Sequence, residues 1–150
     1  MVHQTESGAR GSSGPGGTGK GAALAILATA PRPGLVLQEL CPPLMPSEAS
    51  ALQTAWLKHI VRELPGASVF LYGRPADALP MLRYFAGPGV ELREWPGANE
   101  PGTVESMATV AGELFAEGYG PVLVRTMDAP EPTEAVLLAC LRAAARGDLV

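Results

Sequence analysis

Gly118-Tyr119-Gly120-Pro121-Val122-Leu123-Val124-Arg125-Thr126-Met127-Asp128-Ala129-Pro130-Glu131-Pro132-Thr133 is the stretch that decides the fold. Val122-Leu123-Val124 is apolar without alternation, as in a strand buried on both faces. The strand runs into a loop with one carboxylate, Asp128. Thr133 then stands where a helix N-cap belongs, ahead of an apolar pattern over about 133–146. Ligands of open α/β sheets sit outside the carboxyl ends of the strands. Asp128 is therefore where such a fold keeps its chemistry.

Upstream, strands and helices alternate. Apolar runs at 23–29 and 69–72 read as buried strands, and Gly73 ends the second. Five prolines between 30 and 46 exclude regular structure there. Ser47 is the expected cap of a helix over about 48–64, with Leu52, Trp56, Ile60 and Leu64 as its buried stripe. A shorter helix over about 76–86 turns Leu79, Leu82 and Phe85 inward, and admits Pro80 only in its first turn. Val90 to Trp95 alternates apolar with charged residues, the signature of a strand exposed on one face, at a sheet edge. Thr103 opens a helix over about 104–117 with Val104, Met107, Val110, Ala111 and Leu114 as its stripe. Leu149-Val150 begins another strand, so the expectation is a domain that lacks its C-terminal part. Strands joined through helices imply a mostly parallel sheet in a three-layer α/β/α sandwich.

Composition sets the outer limits. With 150 residues, 47% of them hydrophobic and 17% charged, the chain is one globular domain. That domain is expected over 22–150, behind a disordered Gly/Ser-rich tail over 1–21. A net charge of −4 gives no broad basic face, so nucleic acid is excluded as a partner. No apolar run is long enough for a membrane span, so no membrane partner is expected. Cys41 and Cys140 make no disulfide framework and read as free thiols of a cytoplasmic protein. An open sheet edge would be a candidate surface for a homodimer.

One motif needs separate treatment. Gly14 through Gly19-Lys20 has the skeleton of a phosphate-binding P-loop. That loop needs a strand before it, a helix after it, and a hydroxyl following the lysine. Gly21 replaces the hydroxyl and a strand-like run follows, so a P-loop NTPase is only a remote alternative.

Among chemistry-bearing residues, Asp128 can be a Mg²⁺ or Mn²⁺ ligand or an ordinary turn residue. Arg32, between Pro31 and Pro33-Gly34 after the first strand, could meet a phosphate together with amides near Gly34. Arg32 equally suits a solvated loop. Arg125 reads as a solvated rim residue, and His59 as a flank of the helix stripe. No Ser/His/Asp set, CxxC or HExxH occurs.

Ala25-Ile26-Leu27-Ala28, Pro31-Arg32-Pro33-Gly34, Leu40-Cys41-Pro42-Pro43-Leu44, Glu48-Ala49, Gly102-Thr103-Val104-Glu105-Ser106-Met107 and Pro121-Val122-Leu123-Val124 with Asp128-Ala129-Pro130 together resemble a bacterial family of transferases. These are the radical-SAM/selenodomain-associated transferases, of GT-A glycosyltransferase fold, similar to the guanylyltransferases that act on phospholactate. The resemblance implies a Rossmann-like sandwich of the nucleotide-diphospho-sugar transferase type. It implies a nucleotide or nucleotide-sugar near Arg32 and Gly34, and Mg²⁺ or Mn²⁺ on Asp128. The family follows its Pro-Gly with a Lys-Thr-Arg set, where this chain has Leu37-Gln38-Glu39. The family's later Asp-Gly-Gly segment has no counterpart before Val150.

A charge-assisted hydrogen bond is worth roughly 1.5–3 kcal/mol. Losing two costs roughly 3–6 kcal/mol, or about two to four decades of affinity. Two readings follow: a glycosyl- or nucleotidyltransferase that is weak or inactive as written, and a non-catalytic binding or interaction domain derived from that fold.

Overall fold

The computed structural model describes residues 19–97, 103–127 and 132–147. Four strands, β1 (Gly21–Thr29), β2 (Ala67–Arg74), β3 (Val90–Glu94) and β4 (Tyr119–Thr126), alternate with four helices. The helices are α1 (Pro46–Ile60), α2 (Leu79–Phe85), α3 (Thr103–Ala116) and α4 (Glu134–Ala145). All strand pairs are parallel, in the order β3-β2-β1-β4. The expected α/β class is therefore what the chain adopts.

β1 lies between β2 and β4, where Ala25 pairs with Phe70 on one side and Val124 on the other. Ala23 through Ala28 are all buried, which is why this strand reads as an unbroken apolar run. Leu24, Ile26 and Ala28 face a core shared with Leu57 and Ile60 of α1, Leu82 of α2 and Leu141 of α4. Ala23, Ala25 and Leu27 face the opposite core, with Phe70, Tyr72, Trp95 and α3's Val110 and Leu114. Helices on both sides make the three layers. Gly73 matters to the first: a Cβ there would stand 2.2 Å from Leu82 Cδ1, so α2 approaches β2 as closely as a glycine permits.

Two helix stripes differ from expectation. α1 buries Ala49, Ser50, Gln53, Leu57 and Ile60, while Leu52 is exposed and Trp56 half-buried. Residues Leu52 and Gln53 are one step apart, about 100° of helix rotation. The helix has turned toward residues able to donate hydrogen bonds. Ser50 Oγ donates to the Pro31 carbonyl, and Gln53 Nε2 to that of Thr29 at 3.4 Å. In α3 the buried residues are Ser106, Val110 and Leu114, and Val104 is exposed. Ser106 Oγ donates to the Pro96 carbonyl at 3.3 Å. Apolar periodicity takes no account of carbonyls that need donors.

Helix ends follow their sequence signals in part. Thr133 caps α4, its Oγ1 accepting from Val136 N at 3.3 Å. α1 begins with Pro46 at its first position rather than after a Ser47 cap, and Glu48 accepts from Met45 N at 2.8 Å. Pro80 lies in the first turn of α2. β3 is an edge strand, as its alternation predicts.

Arg125 is a correction. It is buried rather than solvated, because the side chains of β4 that flank it in alternation (Leu123 and Met127) enter the first core. His59 is exposed on α1. Gly19-Lys20 leads into β1, not a helix, which is contrary to the P-loop arrangement. Residues 1–18 of the expected tail and the expected strand at Leu149 lie outside the described residues. No helix among the described residues is long and apolar enough to cross a membrane.

Beside α3 the sheet face is covered by an arginine. Arg93 lies 4.6 Å over the Phe70 ring and bonds both Glu117 oxygens, Nη2 to Oε2 at 2.9 Å, as well as Glu91 at 2.8 Å. This guanidinium holds the Glu117 carboxyl below the usual carboxylate range.

Leu57 is fully buried, so Leu57→Ala should cost about 2–5 kcal/mol in urea unfolding monitored by circular dichroism. Because the folded-state pKa of Glu117 is depressed, its contribution is present above the unfolded carboxylate value near ~4.3. It is lost as pH falls through the folded value. Glu117→Gln should lower the melting temperature at pH 7, and the difference should shrink as pH falls through the folded value.

Candidate functional site

The carboxyl ends of the parallel strands form one rim. β1 leaves it through Ala30, Pro31 and Arg32, β2 through Arg74 and Pro75, and β3 through Trp95 and Pro96. The loop after β1 is fixed from below. Ala30 N donates to the Arg74 carbonyl at 2.8 Å, and Ser50 and Gln53 hold the carbonyls of Pro31 and Thr29. Arg32 N donates to Ala30 O at 2.8 Å and Leu35 N to Arg32 O at 3.1 Å, so the loop folds back at once.

Arg32 does reach the rim, and there it has a partner. Its Nη2 lies 2.9 Å from Asp77 Oδ2, with Arg32 half-buried and Asp77 exposed. A ligand anion at Arg32 competes with that carboxylate. Gly34 stands at the outer end of the loop with φ 78°, and a Cβ there would meet nothing within 4 Å. Its glycine is required by the left-handed backbone conformation. The Gly34 carbonyl accepts from Gln38 Nε2 at 2.8 Å.

Gln38 and Glu39 enter a short 3₁₀ turn, Gln38–Leu40, with Leu37 ahead of it in the left-handed region at φ 50°. Gln38 braces the loop. Glu39 is exposed, so this segment presents a negative charge to solvent.

Asp128, the expected metal ligand, lies outside the described residues. Thr126, two residues before it, pairs with Leu27 of β1. Among the described residues no group of three or more His, Cys, Asp or Glu side chains is placed to hold a metal ion. Of the carboxylates at the rim, Asp77 is committed to Arg32, and Glu94 stands exposed at the end of β3. The metal assignment therefore rests on Asp128 alone, and the described rim supplies no further ligand set.

Sequence reasoning missed Arg74 and Trp95. The Arg74 guanidinium stacks on the Trp95 ring at 4.1 Å, and its Nε donates to Thr29 Oγ1 at 2.9 Å. Trp95 is 5% exposed, and its indole nitrogen finds no acceptor among the described residues. The available signal was an arginine directly before a proline at a strand end, since Pro75 stops β2 as Pro31 and Pro33 bracket Arg32. A small depression lies away from the rim, beneath α4, lined by Ile60, Leu64, Arg125 and Leu137 among others.

With this geometry in view, comparison with known proteins gives one result of weight. The chain superposes on a crystal structure from Desulfovibrio desulfuricans provisionally named a nucleotide-diphospho-sugar transferase. The TM-score is 0.71 and the identity 19%, covering 81% of this chain and 53% of that one. The likeness is one of fold. The chain spans about half the length of that structure. No family model matches the sequence, and no curated protein matches it. The fold expected from the resemblance is thus found, while a place in the radical-SAM/selenodomain-associated group stays an expectation.

Ser50 is 8% exposed and holds the carbonyl that begins the rim loop. Ser50→Ala leaves that carbonyl without its donor and should cost about 1–3 kcal/mol in stability. Hydrogen exchange should accelerate at the amides of Arg32 and Leu35 while those of β1 stay protected.

Proposed function

We propose that the C-terminal rim binds a nucleoside diphosphate or nucleotide-sugar. On this reading the chain is the nucleotide-holding part of a glycosyl- or nucleotidyltransferase, weak or without turnover as it stands. The observation that carries the reading is the convergence of the β1 loop and the β2 and β3 ends on one rim of a parallel sheet. Open α/β sheets take their ligands at that place. The shared fold with the nucleotide-diphospho-sugar transferase structure supports the choice of ligand class.

Residue roles follow from position. Arg32 would bond phosphate oxygens once Asp77 releases it, and the loop at Gly34 would pass close to the nucleotide. Asp128 would ligate Mg²⁺ or Mn²⁺ jointly with the diphosphate, as magnesium sites with one or two carboxylates do. The cation would supply charge neutralisation on the diphosphate when bound. Cys41 and Cys140 as free thiols support a cytoplasmic setting.

Weak binding is the second half of the reading. Leu37, Gln38 and Glu39 offer no cation, and Arg32 already has a carboxylate partner. These same observations favour the alternative, a binding or interaction domain that keeps the fold without catalysis.

Calorimetry of the 150-residue chain with UDP, GDP and CTP, with and without Mn²⁺, tests the proposal. At least one should bind with a dissociation constant of about 0.1–1 mM. Asp128→Ala should abolish the Mn²⁺-dependent part of the heat. Silence of all three nucleotides at several millimolar would remove the proposal.

A further inference from the structure

Resting on that reading of the rim, we infer that Arg74 is the residue that grips the diphosphate of the bound nucleotide. Three observations carry this.

The first is placement. Arg74 is the last residue of β2 and pairs with Thr29, the last residue of β1. Its side chain therefore leaves the sheet at the middle of the rim, between the β1 loop and the β3 end. A diphosphate lying across the strand ends meets this position before it meets the flanks.

The second is charge. Arg32 is neutralised by Asp77, and Arg93 by Glu91 and Glu117. Arg74 forms no ion pair among the described residues; its partners are a hydroxyl and an indole ring. Neither removes its positive charge. Among the described residues only Nε is engaged as a donor, and neither terminal nitrogen of the guanidinium fork has a partner there. That fork matches two phosphate oxygens.

The third is rigidity. Thr29 Oγ1 holds Nε at 2.9 Å while the buried Trp95 ring supports the guanidinium plane at 4.1 Å. An arginine fixed in this way loses little side-chain freedom on binding, whereas a solvated one loses several rotamers.

The test is calorimetry of the full chain with the nucleoside diphosphate that binds best, with the matching nucleoside, and with inorganic pyrophosphate, all with Mn²⁺. Arg74→Gln removes the charge and the fork while keeping a shorter polar side chain with a donor, and Arg74→Lys keeps the charge without the fork. Arg74→Gln should weaken the diphosphate about 10- to 100-fold, leave nucleoside binding unchanged, and flatten the salt dependence of the affinity. Arg74→Lys should fall between. Circular dichroism and urea unfolding identify a variant that has merely lost its fold.

Diphosphate affinity equal to wild type in folded Arg74→Gln would overturn the inference and leave the nucleotide reading standing. Wild-type chain that binds no nucleotide would overturn both. Pyrophosphate bound as tightly as the nucleoside diphosphate, and weakened equally by Arg74→Gln, would support the grip while assigning the site to a free phosphate anion.

Discussion

The central strand of the sheet constrains everything else. β1 is hydrogen-bonded on both edges and covered on both faces, so every backbone group and side chain from Ala23 to Ala28 has its place fixed. Small residues alternate with large ones along it. On one face Ala23 and Ala25 allow α3 to lie close; on the other Leu24 and Ile26 fill the space beneath α1 and α4. A parallel strand held in this way delivers its carboxyl end to the surface without freedom to move. The loop Ala30 to Gly34 inherits that rigidity.

Rigidity at the rim also comes from below. Both α1 and α3 carry a buried serine that donates to the carbonyl of a proline just past a strand end, Ser50 to Pro31 and Ser106 to Pro96. A chain leaving a parallel sheet has carbonyls that no neighbouring strand accepts into its ladder, and each needs a donor if it is buried. Here the supporting helices provide it. The same logic organises the rim's cations: Arg32 is tied to a carboxylate, while Arg74 is tied to a hydroxyl and a ring and keeps its charge. Two arginines that look alike in sequence thus have different electrostatic standing.

The elements themselves were legible because their signals are local. The apolar run of β1, the alternation of β3 at an edge and the Thr133 cap each depend on a few adjacent residues. The stripes of α1 and α3 were misread, placing Leu52 and Val104 inside, because buried donors outranked apolar periodicity there. Arg125 was misread for the opposite reason: a charged residue on a buried strand looks solvated until its neighbours are known. Within the site, Arg32 and its loop were found from proline and glycine spacing. Arg74 was not, since its significance lies in contacts with Thr29 and Trp95, 45 and 21 residues away.

Sequence by itself determined the alternation of strands and helices and the parallel sheet, because each is written in periodicity or in residue type at a known spacing. Tertiary structure alone decided which arginine is paired with a carboxylate, which helix face is buried and where the Arg74 side chain meets Thr29 and Trp95. Those outcomes depend on pairings between strand ends distant in the chain. Charge, unlike periodicity, takes its meaning from whatever the fold brings within a few ångströms of it.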